Sequence, residues 1–398
     1  MVDSPELLIP AGDLEKLETA VRFGADAVYV GAGPYSLRTQ QTAFDIKGLG
    51  IGAGIGKKHN VKVYLAMNIF PFDDDLPGMM EYLAKAINLG IDAVIISDPG
   101  LLSLIKQLDK KTKIHLSTQA NTINSEAVKF WRDQGIKRIV LGRELSLEQI
   151  KKIRKDVTDV ELELFIHGAM CMSYSGRCLL SKHMTDRSAN QGECTQPCRW
   201  EYRLKEMTRP DEEFTIEEDM RGTYVMNSKD LCLIEHLDKL KEAGIDSFKV
   251  EGRMKSAYYV ALVTKIYRKA LDSKAYDPRW LEELKKVSHR NYTTGFYFGS
   301  DDNENLGTST YVRDYTFVGT VEESNPLKIA ARNYFSAGDT LEVIDPQVDE
   351  IRPIKIVGMM DEEGKAIEKA HNPYYVTANV EPACSISRHS ILRRRVLK

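Results

Sequence analysis

Eight short β-branched runs, each separated from the next by a helix-like stretch, constrain this chain more than any other feature. They are Leu7-Leu8-Ile9, Ala27-Val28-Tyr29-Val30, residues 61–66, Ala93-Val94-Ile95-Ile96, Lys113-Ile114-His115-Leu116, Arg138-Ile139-Val140-Leu141, residues 161–166 and Ser247-Phe248-Lys249-Val250. Strands joined through helices pair in parallel and carry those helices on their outer face. A count of eight favours closure into a TIM-like (β/α)8 barrel over an open doubly wound sheet. No Gly-x-Gly-x-x-Gly follows the first run, as a dinucleotide-binding sheet would require. Gly24, Gly90, Gly135 and Gly244 each stand between a helical stretch and the next run, the expected place for a helix-ending glycine. The glycine-rich stretch 48–56 precedes the third run and reads as helix-end and loop glycines.

The rhythm breaks between the seventh and eighth runs. Residues 168–246 hold an insertion with Cys171, Cys178, Cys194, Cys198 and Cys232; only Cys384 lies elsewhere. It also carries an acidic, hairpin-like stretch, 201–224, with Arg209-Pro210-Asp211 at its turn. An insertion on a loop that follows a barrel strand lies at the catalytic mouth. Residues 257–274 and 278–288 read as helices. From 315 the pattern changes to short, evenly spaced strands, the signature of a small β-barrel. The expected organisation is a barrel over 1–300 containing the 168–246 insertion, a linker over 301–314 and a small β-barrel domain over 315–398.

Hydrophobic residues make up 42% and charged residues 28%, which excludes disordered and collagenous chains. No apolar run approaches the roughly 18 residues a membrane span needs, and the first residues lack a secretory pattern. The expectation is a cytoplasmic protein without a membrane segment. Net charge is −3, yet Arg388, Arg393, Arg394, Arg395 and Lys398 crowd one end with no carboxylate among them. A basic end on an acidic body suits local phosphate contacts; the competing reading is a solvated tail.

Reacting groups in such a barrel come from several strand ends at once. Asn68, Gln119, Arg143, Glu144, His167, Glu251 and Arg253 occupy those ends, with Arg38 on the loop after the second strand. Glu144, His167 and Glu251 are the candidate acid–base groups. Arg38, Asn68, Gln119, Arg143 and Arg253 are the candidate substrate-binding residues. Guanidinium groups grip carboxylate or phosphate through paired, charge-assisted hydrogen bonds; the alternative is that they pair internally with Glu144 and Glu251. The cysteines follow the pattern Cys171-x6-Cys178-x15-Cys194-x3-Cys198-x33-Cys232. With no Cys-x2-Cys knuckle, an ordinary zinc finger is disfavoured. Thiolates from dispersed loops suit an iron–sulfur cluster; a four-cysteine zinc site and a set of unliganded thiols remain open. Neither His-Glu-x-x-His nor Gly-x-Ser-x-Gly is present, although a Cys–His pair could still form in space.

The run His167-Gly168-Ala169-Met170-Cys171-Met172-Ser173-Tyr174-Ser175-Gly176-Arg177-Cys178-Leu179-Leu180-Ser181 closely resembles the collagenase-like peptidase family of unknown catalytic type. So do Asn190-Gln191-Gly192-Glu193-Cys194-Thr195-Gln196-Pro197-Cys198-Arg199-Trp200, the opening Leu7-Leu8-Ile9-Pro10-Ala11-Gly12 and Tyr35-Ser36-Leu37-Arg38. Asn227-Ser228-Lys229-Asp230-Leu231-Cys232 and Lys249-Val250-Glu251-Gly252-Arg253-Met254-Lys255-Ser256 are similar to its tRNA hydroxylation branch. The resemblance spans nearly the whole chain. It implies hydroxylation of the wobble uridine of tRNA at carbon 5, with prephenate as the oxygen source. It also implies an iron–sulfur cluster, of 4Fe-4S type, on Cys171, Cys178, Cys194 and Cys232, with Cys198 as the alternative fourth ligand. The family implies three other readings: a true protease, a hydroxylase of another RNA, and a non-catalytic subunit paired with a paralogue.

Overall fold

The computed structural model describes residues 4–37, 44–170, 173, 177–197, 204–205, 213–214, 218–219, 222–223, 229–299 and 311–396. Eight parallel strands form a closed barrel. They are β1 (Glu6–Pro10), β2 (Ala27–Gly31), β3 (Lys62–Met67), β4 (Ala93–Ile96), β5 (Ile114–Leu116), β6 (Arg138–Val140), β7 (Glu161–Ala169) and the eighth barrel strand, Ser247–Val250. Each pairs with the next, and Ser247–Val250 pairs with both β7 and β1, which closes the ring. Alternation along each strand sorts the side chains. Val28, Val30, Val63 and Leu65 join the core beneath the helices. Leu8, Ala27, Tyr29, Tyr64, Ala66, Ala93 and Ile95 form a separate cluster in the lumen. Asp13, Asp45, Asp98, Asn124, Ser146 and Ser256 each accept a backbone N–H at a helix start. Such caps are worth about 1 kcal/mol apiece.

The glycines of 48–56 are not loop residues. They lie inside the helix Ile46–His59. A Cβ on Gly52 would come within 2.8 Å of Leu17, and one on Gly56 within 2.6 Å of the Val61 carbonyl. They let this helix sit close against its neighbours.

The lower end of the lumen is sealed by ionic contacts. Arg138 reaches Glu6, Glu161 and Glu163, and Lys249 Nζ reaches Glu163 at 2.9 Å. Tyr64 donates to Glu6 at 2.9 Å, and Ser247 to Glu163 at 3.1 Å. Each of these buried lumen charges therefore has an opposite charge beside it, the condition for keeping it there.

Within the insertion, Asp230–Cys232 adds antiparallel to the upper end of β7, with Cys232 opposite His167. Leu204–Lys205 pairs antiparallel with Glu213–Phe214, as the hairpin reading expects; the expected turn, Arg209-Pro210-Asp211, lies outside the described residues.

Behind the barrel, strands Tyr315–Ser324, Leu327–Ala331, Thr340–Ile344, Arg352–Met360, Tyr375–Glu381 and Ile391–Arg395 form a second closed barrel, all antiparallel. Val318, Ile329, Phe335, Leu341, Ile354 and Val376 fill it. Its last strand carries three of the basic end's arginines, Arg393, Arg394 and Arg395. Arg393 is fully buried and pairs with Glu283 and Glu342 at 2.7 and 2.6 Å. Arg394 pairs with Asp339 at 2.5 Å. These two are therefore neither a solvated tail nor free phosphate contacts. The domains are joined by Lys265 Nζ, which donates to the Asp345 and Val348 carbonyls at 2.9 and 2.8 Å, and by Arg332–Glu15 at 2.7 Å. Among the described residues, no helix is long and apolar enough to cross a membrane.

Candidate functional site

The upper ends of the barrel strands bring two aromatic rings and three cations together. The rings are Tyr29 on β2 and Phe165 on β7. Lys249 Nζ lies 4.6 Å from the Tyr29 ring centre and 5.4 Å from that of Phe165. The Arg253 guanidinium lies 5.9 Å from Tyr29, and that of Arg143 5.4 Å from Phe165. A ring face attracts a cation electrostatically, so this stacking fixes where each positive head stands. Arg253 is further held by Ser36 Oγ at 3.2 Å and by the Leu37 carbonyl. Arg143 donates to the Ala169 carbonyl at 3.1 Å. Both arginines are at least nine-tenths buried.

Lys249, Glu251 and Arg253 alternate along the chain as the eighth strand runs into the mouth. Sequence reasoning missed Lys249 by taking residues 247–250 only as a β-branched strand run. The alternation Lys-x-Glu-x-Arg is the signal that could have found it, and all three side chains converge on Tyr29.

Asn68 and Gln119 belong to the same rim. Asn68 accepts from the Leu37 N–H at 3.3 Å and donates to Ser117 Oγ at 3.1 Å. It thereby ties the loop after β2 to the end of β5. Gln119 is half-buried in the short turn Thr118–Ala120 that follows β5. Arg38 lies outside the described residues.

The three acid–base candidates separate. Glu251 accepts from Tyr29 Oη at 3.2 Å and stands at the mouth. Glu144 Oε2 is buried and has no hydrogen-bond partner among the described residues. It packs over Gly142, where a Cβ would come within 2.7 Å of it. An unpaired carboxylate oxygen is the better poised proton acceptor of the two. His167 is placed differently. A register shift between β7 and the eighth strand, at Lys249 and Val250, turns its ring toward the helix Ala257–Asp272. There Nδ1 lies 3.2 Å from Tyr267 Oη, and the rings of Tyr259, Tyr267 and Tyr292 surround it. Burial pushes its pKa down to about 3, so it stays neutral. The structure thus groups Glu144 and Glu251 with the mouth and His167 with the helix layer.

Cys232 faces the same buried layer. Its Sγ lies 3.7 Å from Tyr267 Oη, and burial pushes the thiol up to about 11. A nucleophilic cysteine needs the opposite: a depressed pKa and an open approach. Cys232 and His167 are neighbours without being an activated pair. Cys178 is half-buried, and Cys194 is exposed with Sγ 3.8 Å from Ser181 Oγ. Among the described residues, no group of three or more Cys, His, Asp or Glu has the spacing to hold a metal ion. Cys171 and Cys198 lie outside the described residues.

A closed (β/α)8 barrel, a cysteine-bearing insertion beside its mouth and an antiparallel barrel behind it define the class: a TIM-like protein with a cationic, aromatic site at the strand ends. Residues 12–307 match the model of peptidase family U32, and residues 313–393 match the peptidase family U32 C-terminal domain. The chain belongs to peptidase family U32. It is 39% identical to tRNA hydroxylation protein P1 of Bacillus subtilis, over 94% of this chain and 90% of that one. It is 41% identical to tRNA hydroxylation protein P of Escherichia coli, over 86% of each chain. It is 32% identical to a protein named Collagenase from Porphyromonas gingivalis, over 88% of this chain and 91% of that one.

Proposed function

We propose that this protein hydroxylates tRNA, adding one oxygen at carbon 5 of the wobble uridine, with prephenate as the oxygen donor. The observation that carries the reading is the similarity to two tRNA hydroxylation proteins over most of the chain. The mouth supports it. Prephenate carries two carboxylates, and Arg143, Lys249 and Arg253 supply three cations held in place by ring stacking and hydrogen bonds. A uracil ring flipped out of the anticodon loop would stack on Tyr29, Phe165 or an arginine plane.

Replacing the C5 hydrogen by hydroxyl oxidises the base by two electrons, so prephenate must leave reduced by two. The proton lost from C5 needs an acceptor, and Glu144 Oε2 and Glu251 are the carboxylates at the mouth. Cys171, Cys178, Cys194 and Cys232 are the proposed cluster ligands, with Cys198 as the alternative to Cys194; a 4Fe-4S cluster would supply one-electron chemistry there. Loading it would require Cys232 to leave Tyr267 and lose its proton. The protein acts on tRNA in the cytoplasm, with a paralogous subunit as a further candidate partner.

The named collagenase relative favours a second reading, proteolysis. The experiment is to give purified protein either tRNA with prephenate or gelatin. 5-Hydroxyuridine formation with intact gelatin is expected; cleaved gelatin with unmodified tRNA would give the site to the peptidase reading.

A further inference from the structure

We propose that a cleft of about 540 Å³ at the far end of the barrel, between the two domains, binds a phosphate group. Its walls include Arg22, His59, Gln347, Ser387, Arg388 and His389, and among the described residues no carboxylate lines it. Arg22 and His59 end the helices Leu14–Arg22 and Ile46–His59, whose chains turn directly into the starts of β2 and β3. The cleft therefore lies at the strand starts, roughly 16 Å of strand away from the mouth. It is a separate site, and the proposal goes beyond the hydroxylation reading without depending on it.

The cleft is built on both sides. Asp345 is 1% exposed and accepts the Gln347 and Ser387 backbone N–H groups at 2.8 and 2.9 Å. The same loop is anchored to the barrel by Lys265. His389 holds φ at 70°, a strained backbone for a non-glycine residue, and its N–H donates to the Val321 carbonyl at 2.7 Å. On the barrel side, Glu18 takes Arg22 at 3.2 Å and stands 3.4 Å from His389. Glu18 offsets one charge. Arg388 is exposed and has no ion-pair or hydrogen-bond partner among the described residues. Two guanidinium groups, two imidazoles, hydroxyls and an amide, with Glu18 as the one carboxylate against them among the described residues, match a tetrahedral oxyanion with several acceptors. Two sources carry that chemistry: the backbone of a bound RNA and a small phosphorylated molecule.

The test uses the full-length protein and two probes, inorganic pyrophosphate by calorimetry and a tRNA transcript by filter binding across a salt series. Arg388→Ala and His59→Ala, at unchanged melting temperature, are expected to weaken at least one probe fivefold or more. Lys369→Ala, an exposed residue outside the cleft, serves as the control and should change neither. Weakened tRNA binding, with the salt slope reduced by about one for Arg388→Ala, assigns the site to RNA backbone. Weakened pyrophosphate binding with unchanged tRNA binding assigns it to a small phosphorylated ligand. Unchanged affinity for both probes, or equal loss in the control, overturns the proposal. Hydroxylation is not read in any arm, so failure of that activity and failure of this site are distinguishable.

Discussion

Lys249 Nζ lies 2.9 Å from Glu163 Oε1 inside the barrel, and both side chains are more than nine-tenths buried. The pair joins the ionic floor to the mouth, because the same ammonium group stacks over Tyr29 and Phe165. Lys249→Met removes one cation from Glu163 but leaves Arg138 and Ser247 in place. Breaking a buried pair from one side costs 3–5 kcal/mol in general, and the remaining partners set the expectation at about 3 kcal/mol. Urea denaturation measures it. A loss under 1 kcal/mol would mean that Glu163 does not need Lys249.

Arg253 holds Ser36 and Leu37 while stacking on Tyr29. A lysine has neither the planar fork nor the reach to do all three. Arg253→Lys and Arg253→Ala are both expected to lower prephenate-dependent kcat/KM by about a hundredfold, or ~2.7 kcal/mol of transition-state stabilisation. Wild-type kinetics in the lysine variant would move the carboxylate site elsewhere.

Gly168 has φ of +108°, and a Cβ there would come within 2.4 Å of the Glu251 carbonyl. Gly168→Ala therefore strains the backbone and displaces the residue that carries a mouth carboxylate. The expected cost is about 2–3 kcal/mol, with activity falling further than stability alone explains. Equal stability by thermal melting would contradict the packing described.

His115 is buried beside Tyr64, with ring centres 4.7 Å apart. Burial first, then Arg138 and Lys249, holds its pKa well below the ordinary histidine value. The folded chain keeps it neutral while the unfolded chain takes up a proton near pH 6.5. Its share of stability is thus complete above that pH and lost as pH falls below it, at up to about 1.4 kcal/mol per unit. His167 and His289, pushed down to about 3 and about 4, act with the same sign. Denaturation midpoints at pH 7.5, 6.5 and 5.5 should fall with pH, and His115→Phe should flatten part of that fall. An identical profile in the variant would place the titration elsewhere.

Cys178→Ala tests the cluster. Protein purified without oxygen should lose most of its bound iron and sulfide in this variant while keeping its fold. Full iron retention would remove Cys178 from the ligand set.

The barrel was legible because each strand carries its own apolar run, and such a signal is local. What escaped was set by contacts between distant residues. The ring of His167 turns away from the mouth because of one register shift, and a single slip exchanges the two faces of a strand. The strand Asp230–Cys232 is too short to show alternation and exists by pairing with β7. Arg393 and Arg394 read as a basic end because Glu283, Glu342 and Asp339, which neutralise them, lie far away in the chain. The strand-end residues Asn68, Arg143, Glu251 and Arg253 could be named in advance, since barrel topology alone sends strand ends to one rim.

The most direct test of the central claim is nucleoside mass spectrometry of tRNA incubated with the purified protein under strict anoxia, with and without prephenate. The account predicts one added oxygen on the wobble uridine, only with prephenate, and none with Arg253→Ala. Unmodified tRNA from an iron-loaded wild-type protein, or oxygen added without prephenate, would contradict it.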